Sequence, residues 1–504
     1  MNSALACSTL LRPFAVAALL LGAVPLSGVE PAPFGIHVVD EATGRGVPLV
    51  ILETTNHLRY VTDSAGWVAF SEPGLMGRKV HFSISGAGYA ITKDSFGYAG
   101  VALVTEPGDM AEVKVMRTQV AERMYRVTGQ GIYADSQRLG KETPLPQSVM
   151  SADVMGQDSV QVAEYEGRLF WIWGDTNRPG YPLGNFHSTG AWSNLPKGEP
   201  AGLDPTLGVH LEYLVNEDDE VRQMLPMEKP GPVWLFGLLN AQDASGGEHL
   251  IAHYSRMKSL SEVVEQGLAE WDDAERRFMP IVELGAEFDW QHPRGTTVQV
   301  AEKGQKTILY FAAPFCVTRV RADYDDVQIP STYEALTFDP KAKAWAWQRE
   351  VPPLTQAAEA ALIKSGKMPA SEARFQIVNA ASGKPVLAHA GSVRWNAHRE
   401  RWVMIFVQSG ADESFLGEVW YAESKSVDGP WEKAVKVATH PKYSFYNPQQ
   451  HDFMDQENGR YIYFEGTYAE TFSGAPVATP RYDYNQLMYR LDLDDPRLEP
   501  AHVE

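Results

Sequence analysis

Two aspartates stand at either end of the segment GQDSVQVAEYEGRLFWIWGDT, residues 156–176, which otherwise predicts two apolar strands joined by a tight turn. Two carboxyl groups near one site can divide acid and base work, because like charges in a low-dielectric site disfavour a second ionisation. We therefore take Asp158 and Asp175 as candidate catalytic residues. For each of them, a turn or cap hydrogen bond to the backbone is the alternative role.

The same strand, polar turn and aromatic strand recur along the chain. Copies begin at Asp158, Thr296, Gly391 and His451, and a weaker copy begins at Gly231. With the strands that follow, each unit has about four strands, and stacked four-stranded units are typical of a β-propeller. The sequence therefore predicts an all-β chain with a five-bladed β-propeller over 120–495. The stretch 125–136 is expected to supply a strand to the last blade, and 355–375 predicts a helical insertion.

In a propeller, polar residues at corresponding strand ends converge on the mouth of a central channel. The repeats align Asp158, Arg294 and His451 near one end of the hairpin, and Asp175, His253 and Glu465 near the other. We expect acid/base work from Asp158, Asp175, Glu465 and His253. The expected substrate contacts are Arg178, His187, Tyr254, Arg256, Arg294, His451 and Tyr468. A packed structural histidine, or a strand-edge glutamate paired with an arginine, is the alternative for His253, His451 and Glu465.

Aromatic residues surround these positions. Sugar rings stack on aromatic faces, while their hydroxyls bind amide, guanidinium and imidazole groups. The insertion 177–193, NRPGYPLGNFHSTGAWS, predicts a loop at the channel mouth with Arg178, Asn185 and His187 as contacts. Blade packing is the alternative role for the aromatic candidates, which are Trp171, Trp173, Tyr181, Phe186, Trp192, Tyr446 and Tyr468.

Other features of the sequence indicate where the protein is located and which partners it can bind. Residues 1–28 predict a secretory signal peptide, so we expect a secreted or periplasmic protein. The signal would take Cys7 with it and leave Cys316 alone, and no later apolar run of about 18 residues predicts a membrane span. A net charge of −20 without a basic stripe argues against nucleic-acid binding. The sequence carries no signal for an oligomeric state.

Residues 35–115 predict a small β-sandwich before the propeller, from short strands punctuated by turns. The runs VVDEATGRGVPLVILETT and YVTDSAGWVAF resemble carboxypeptidase-regulatory or transthyretin-like modules. That resemblance implies a stabilising or sugar-contacting role, and the first of these is favoured.

Part of the chain resembles five-bladed propeller glycosidases, a group that includes arabinanases, invertases and anhydrogalactosidases. The resemblance lies in the strings GQDS and WGDTN of the first unit and VWYAESKSVDGPW of the fourth. The resemblance implies that Asp158 acts as base or nucleophile. The Trp-Met-Asn-Asp-Pro and Arg-Asp-Pro strings of the invertase branch are missing, and no middle-blade acid matches the general acid of the arabinanase branch. Glu334, Glu418 and Glu465 are candidates for that acid, as is His253, because a histidine serves in some anhydrogalactosidases.

We therefore predict a secreted glycoside hydrolase that acts on a polysaccharide or oligosaccharide through carboxylates. One alternative is a polysaccharide lyase that uses Arg294, His253, Tyr254 and His451 on a uronate-containing glycan. Another is a non-catalytic carbohydrate-binding propeller. No cofactor is predicted. The acid-rich run DYDDVQ at 323–328 is a weak candidate for structural Ca²⁺, and solvated surface acids are the favoured explanation of it.

Overall fold

The computed structural model describes residues 32–145, 151–180, 186–196, 203–301 and 307–504. The predicted signal peptide, Tyr181 and Asn185 lie outside these residues. Within them the chain is mostly β-strand, and no helix is long and apolar enough to cross a membrane. The α-helices in these ranges are Ala134–Arg138, Tyr324–Val327 and Gln356–Lys364. The short 3-10 helices are Ala286–Phe288, Pro330–Thr332, Ala370–Glu372, Asp452–Met454, Glu457–Gly459 and Pro496–Ala501.

Two four-stranded sheets, which we call the N-terminal sheets, precede the repeats. In hydrogen-bonding order, the first contains Trp67–Phe70, Phe34–Asp40, Met110–Arg117 and Tyr89–Ala90. The second contains Arg59–Val61, Ile51–Thr54, Lys79–Ser85 and Gly100–Val104. Alternating apolar residues such as Ile36, Val38 and Phe82 point between the two sheets and form one shared core.

Five further sheets, I to V, follow in chain order. Sheet I contains Gln161–Tyr165, Arg168–Trp173, Thr189–Asn194 and Glu212–Tyr213, with a short ladder of Gly156–Gln157 and Thr176–Asn177 beside it. Sheet II contains Val233–Gln242, Glu248–Ser259, Glu262–Asp272 and Arg277–Leu284. Sheet III contains Thr296–Val300, Ile308–Ala312, Cys316–Arg321, Glu334–Asp339 and Ala344–Gln348.

Sheet IV contains Ala388–Asn396, Arg401–Gln408, Val419–Ser424, Lys433–Ala438 and Val378–Asn379. Sheet V contains Ser444–Gln450, Tyr461–Ala469, Asn485–Asp492 and Glu122–Arg126. The last of these strands precedes sheet I in the chain and pairs antiparallel with Asn485–Asp492. The strand that completes sheet V therefore lies mostly before the stretch 125–136 predicted to supply it and overlaps that stretch only at residues 125 and 126. The predicted insertion contains the helix Gln356–Lys364, capped by the Thr355 side chain.

Apolar clusters join each sheet to the next and join sheet V back to sheet I. The strand RLFWIW, 168–173, shows how the sequence builds these interfaces, since successive side chains point to opposite faces. Phe170 and Ile172 pack toward sheet II, whereas Leu169, Trp171 and Trp173 pack toward sheet V. A strand packed on both faces is apolar throughout, which explains why this run lacks polar alternation. Full burial of such side chains contributes about 1.5–3 kcal/mol each.

Candidate active site

Asp158 and Asp175 lie side by side where the short ladder ends. Gln157 pairs with Thr176, so the antiparallel strands place the two next residues opposite each other. The Asp158 N–H donates to the Asp175 carbonyl oxygen at 3.3 Å, and the Asp175 N–H donates to Asp158 Oδ1 at 2.9 Å. The repeat alignment had put the two acids at different ends of the hairpin. The pairing brings them to the same end.

The Asp158 carboxylate receives several hydrogen bonds. Its Oδ2 accepts from the Tyr446 hydroxyl at 3.0 Å, and the Tyr484 and Ser159 side chains also hydrogen-bond it. Burial raises the pKa of Asp158, and these donors together with the Asp175 N–H act in the opposite direction. Burial is the larger effect, so the pKa of Asp158 lies above its ordinary value, and the donors offset part of that rise.

Asp175 is in a different environment. Its side chain is 8% exposed, and its Oδ1 accepts from Trp234 Nε1 at 3.0 Å. Burial and then the neighbouring charge of Asp158 raise the pKa of Asp175 to about 7. Because the two adjacent groups titrate together, the pair as a whole keeps one proton up to near neutral pH.

The backbone around the pair adopts the left-handed conformation at three residues other than glycine. Ser159, Asn447 and Tyr484 have φ of 55°, 48° and 55°. The Ser159 N–H donates to Thr467 Oγ1 at 2.9 Å, and Asn447 Nδ2 donates to Ser159 Oγ at 2.8 Å. Each such residue costs about 1–3 kcal/mol, and strain of this kind concentrates at functional sites.

Aromatic side chains flank the pair on two sides. Trp234 lines a cavity of about 500 Å³ together with Phe186, Leu260 and His187. On the other side, the ring of Phe472 is 60% exposed and lies 6.0 Å from the ring of Tyr446 in an edge-to-face arrangement. Two carboxyl groups therefore sit between exposed apolar surfaces on which the faces of a ring can stack.

Several predicted site residues lie in the interior. His451 and Glu465 form a pair at 2.7 Å, and neither side chain has any exposed surface. The Tyr468 hydroxyl bonds Thr479 at 3.0 Å inside the core shared with sheet IV. His253 is buried, and burial with the nearby His292 lowers its pKa well below the usual value. None of these four groups is brought to the Asp158–Asp175 pair.

The remaining predicted contacts have partners elsewhere in the protein. Tyr254 and Arg256 both bond Glu265, and Arg178 pairs with Glu220. Arg294 is exposed, with its guanidinium 5.2 Å from the Phe236 ring centre.

His187 borders the cavity beside Trp234, and its Nδ1 accepts from the Val233 N–H. Of the other acid candidates, Glu334 pairs with Arg319. Glu418 is buried and pairs with Lys436 at 2.7 Å.

Three residues around the pair were not singled out from the sequence. They are Trp234, Tyr484 and Asp483, whose pKa is raised to about 6 by burial and by the nearby charge of Glu470. The string RYDYN at 481–485 places an acid between aromatics just before a strand of sheet V, and that was the available signal. Among the described residues, no three His, Cys, Asp or Glu side chains are arranged to hold a metal ion.

Comparison with known proteins gave structural likenesses only. No protein-family model matches the chain, and no curated protein matches it. An exo-β-1,3-galactanase from Phanerochaete chrysosporium with β-1,3-galactotriose aligns with a TM-score of 0.38 and 8% identity over 74% of this chain. The alignment spans 65% of that galactanase, which is less than two thirds of its length.

Two further structures align less well. A GH43_1 enzyme from Xanthomonas citri complexed with xylose gives a TM-score of 0.33 and 10% identity, over 68% of this chain and 87% of that one. An endo-1,5-α-L-arabinanase from Thermotoga petrophila gives 0.31 and 11% identity, over 68% and 72%. TM-scores below 0.5 do not establish a common fold, so the function proposed below rests on the site geometry.

Proposed function

We propose that this protein is a glycoside hydrolase in which Asp158 and Asp175 are the acid/base pair. The observation that carries the proposal is the unequal environment of two adjacent carboxyl groups. Burial raises the pKa of both groups, but several hydroxyl and N–H donors offset part of the rise at Asp158, whereas Asp175 has one side-chain donor, Trp234, and its pKa is raised to about 7. Glycoside hydrolysis needs one ionised and one protonated carboxyl group at neutral pH.

The roles follow from these environments. Asp175 donates its proton to the glycosidic oxygen as the bond to the sugar C1 breaks. Ionised Asp158 then either takes a proton from the attacking water or attacks C1 itself, to be released by water in a second step. In both routes the products are a hemiacetal and an alcohol, and Asp175 recovers a proton before the next turnover.

The surroundings support a neutral carbohydrate as substrate. Trp234 and Phe186 on one side and Phe472 on the other offer faces for sugar rings. The charged groups gathered at the pair are acidic, since Asp483 lies close to Tyr446. A uronate would be repelled there. The lyase alternative also relies on His253, Tyr254 and His451, which are all buried.

The finer architecture belongs to the same proposal. We take sheets I to V as the blades of a five-bladed β-propeller over 120–495, because each blade packs on the next and sheet V returns to sheet I. We take 35–115 as a carboxypeptidase-regulatory-like β-sandwich on the strength of its shared core. Removal of 1–28 would release the protein to the periplasm or medium.

A substrate panel tests the function. The secreted protein, Asp158→Asn, Asp175→Asn and the surface control Asp339→Asn are incubated with neutral and uronate-containing polysaccharides. Reducing ends and the absorbance of unsaturated products are followed together. We expect new reducing ends without unsaturation, lost in both site variants and kept in Asp339→Asn. Unsaturated products would assign a lyase instead. Sugar binding without products in any protein would assign a binding propeller.

A further inference from the structure

A segment that leads into a strand of sheet V connects the N-terminal sheets with the carboxylate pair. Residues 479–486, which we call the connecting segment, run from the junction with the N-terminal sheets to the strand Asn485–Asp492. It contains Tyr484, one of the groups that hydrogen-bond Asp158, and Arg481 and Tyr484 both have left-handed backbone, with φ of 63° and 55°. Such a conformation persists only where the surroundings hold it.

One end of the segment is held from the N-terminal side. The Tyr482 hydroxyl donates to the Thr62 carbonyl oxygen at 2.8 Å. Arg481 pairs with Asp135 at 3.3 Å, and the neighbouring Ser136 in turn donates twice to Asp63, at 2.7 Å each. These bonds tie the segment to the turn 62–64 of the N-terminal sheets.

Arg126 strengthens this junction. It is 2% exposed, its N–H donates to Ser64 Oγ at 3.1 Å, and its guanidinium donates to the carbonyl oxygens of Arg481 and Gln130. The guanidinium also lies 5.1 Å from the centre of the Tyr482 ring. A buried cation is costly unless its acceptors stay in place, so Arg126 favours this one position of the segment.

The other end of the segment packs against the residues that carry Asp158. The Tyr484 carbonyl oxygen is so close to Gly156 that a Cβ there would lie 2.2 Å from it. Asn485 Nδ2 donates to the Met155 carbonyl oxygen at 3.3 Å, and Gln486 Nε2 donates to that of Gln157 at 3.2 Å. A shift of the segment would therefore move the backbone of 155–158.

We propose that the N-terminal sheets position the catalytic pair through the connecting segment, and that Tyr484 is the positioning residue that reaches Asp158. This rests on the proposed function in one respect, namely that Asp158 and Asp175 are the reacting groups. The N-terminal sheets would then set the protonation of the pair as well as add stability.

The variant Tyr482→Phe removes one of these ties with little damage elsewhere. The Thr62 carbonyl oxygen keeps the Leu49 N–H at 3.2 Å, so no buried acceptor is left without a donor. The matched control is Tyr333→Phe, which removes a buried hydroxyl that donates to the Val327 carbonyl oxygen at 2.9 Å beside sheet III. Arg481→Gln is a second variant at an exposed position, so its folding is not at risk.

Two readouts are compared in the full chain. The first is the ¹³C NMR titration of the Asp158 and Asp175 carboxyl groups, assigned with the two Asn variants. The titratable groups that face Asp158 are Asp175, Tyr446 and Tyr484. The second is the pH dependence of kcat on the best substrate. Both readouts are recorded under conditions in which the same fraction of each variant and of the wild-type protein is folded.

We expect Tyr482→Phe to raise the lower apparent pKa of the pair, because a shift of the connecting segment moves Tyr484 away from Asp158 and weakens a hydrogen bond that favours its ionised form. The acid limb of kcat should move to higher pH, and kcat should fall about 2-fold to 30-fold, the range over which residues of such networks modulate coupling. Arg481→Gln should shift both in the same direction, and Tyr333→Phe should shift neither.

Unchanged titration and pH profile in Tyr482→Phe and Arg481→Gln would overturn the proposal and leave the N-terminal sheets a purely stabilising role. The two proposals fail separately. A wild-type protein that cleaves no glycan removes the hydrolase, while a shifted carboxyl titration in Tyr482→Phe would still establish the positioning.

Discussion

Replacing Asp175 by asparagine should stabilise the protein in a pH-dependent way while abolishing activity. The substitution keeps an Oδ1 that can accept from Trp234 and removes the charge that burial disfavours. The pKa of Asp175 is about 7, against an ordinary value of 3.8. At about 1.4 kcal/mol for each tenfold change in the ionisation constant, ionising the folded protein costs about 4 kcal/mol more than ionising the unfolded chain.

The sign follows from proton binding. Between pH 3.8 and about 7 the folded protein keeps the proton on Asp175 and the unfolded chain has lost it. The contribution of Asp175 to stability is therefore fully present below the unfolded pKa and is lost as pH rises through the folded pKa. Asparagine carries no such dependence. The stability gained by Asp175→Asn should be near zero at pH 4 and approach about 4 kcal/mol above pH 8. The gain is smaller by any part of the ionisation cost of the coupled pair that falls on Asp158.

Urea unfolding followed by tryptophan fluorescence at pH 4, 6 and 8 measures this difference. Asp339→Asn, in an exposed turn of sheet III, is the control for loss of one negative charge. A stability difference between Asp175→Asn and wild type that is the same at all three pH values would refute the reasoning. It would mean that Asp175 has an ordinary pKa and that the pair does not hold a proton at neutral pH.

Four other outcomes are expected. Asp158→Asn should lower kcat by about 10²–10⁴-fold in reducing-end assays, with glycan binding kept. Trp234→Phe removes a donor that favours ionised Asp175, so the alkaline limb of the pH–rate profile should move to higher pH. Phe472→Ala should raise KM with an unchanged unfolding midpoint, because that ring is 60% exposed. Glu465→Gln leaves a buried histidine without its carboxylate and should destabilise by about 3–5 kcal/mol in urea unfolding, with the limbs of the pH–rate profile unmoved.

The carboxylate pair and the helix of the insertion could be predicted because their signals are local. Asp158 and Asp175 are 17 residues apart within one hairpin, so a turn and two strands suffice to bring them together. The helix Gln356–Lys364 follows the Thr355 cap and contains an alanine-rich run, and both are signals carried by a few neighbouring residues. For the pair itself, the assignment to opposite hairpin ends was wrong, because it depends on how the ladder beside sheet I pairs.

Depth within the molecule could not be read from equivalent positions in the repeats. His451 and Glu465 align with polar residues of other units, yet both are fully buried beside Trp171. Equivalent strand ends differ in solvent exposure from one sheet to another. The difference depends on which loops and neighbouring sheets pack against each strand end.

The sequence by itself determined the recurring strand units and the presence of two acids in one hairpin, since strand patterns and turn residues act over a few neighbours. The tertiary structure decided the chemistry of those acids. Tyr446 and Tyr484 lie in or next to a strand of sheet V, and Trp234 lies in sheet II. The donors that make the pKa values of the two carboxyl groups differ therefore meet only when these sheets pack around the pair. Burial and hydrogen bonds across such distances set a pKa, and no local pattern encodes them.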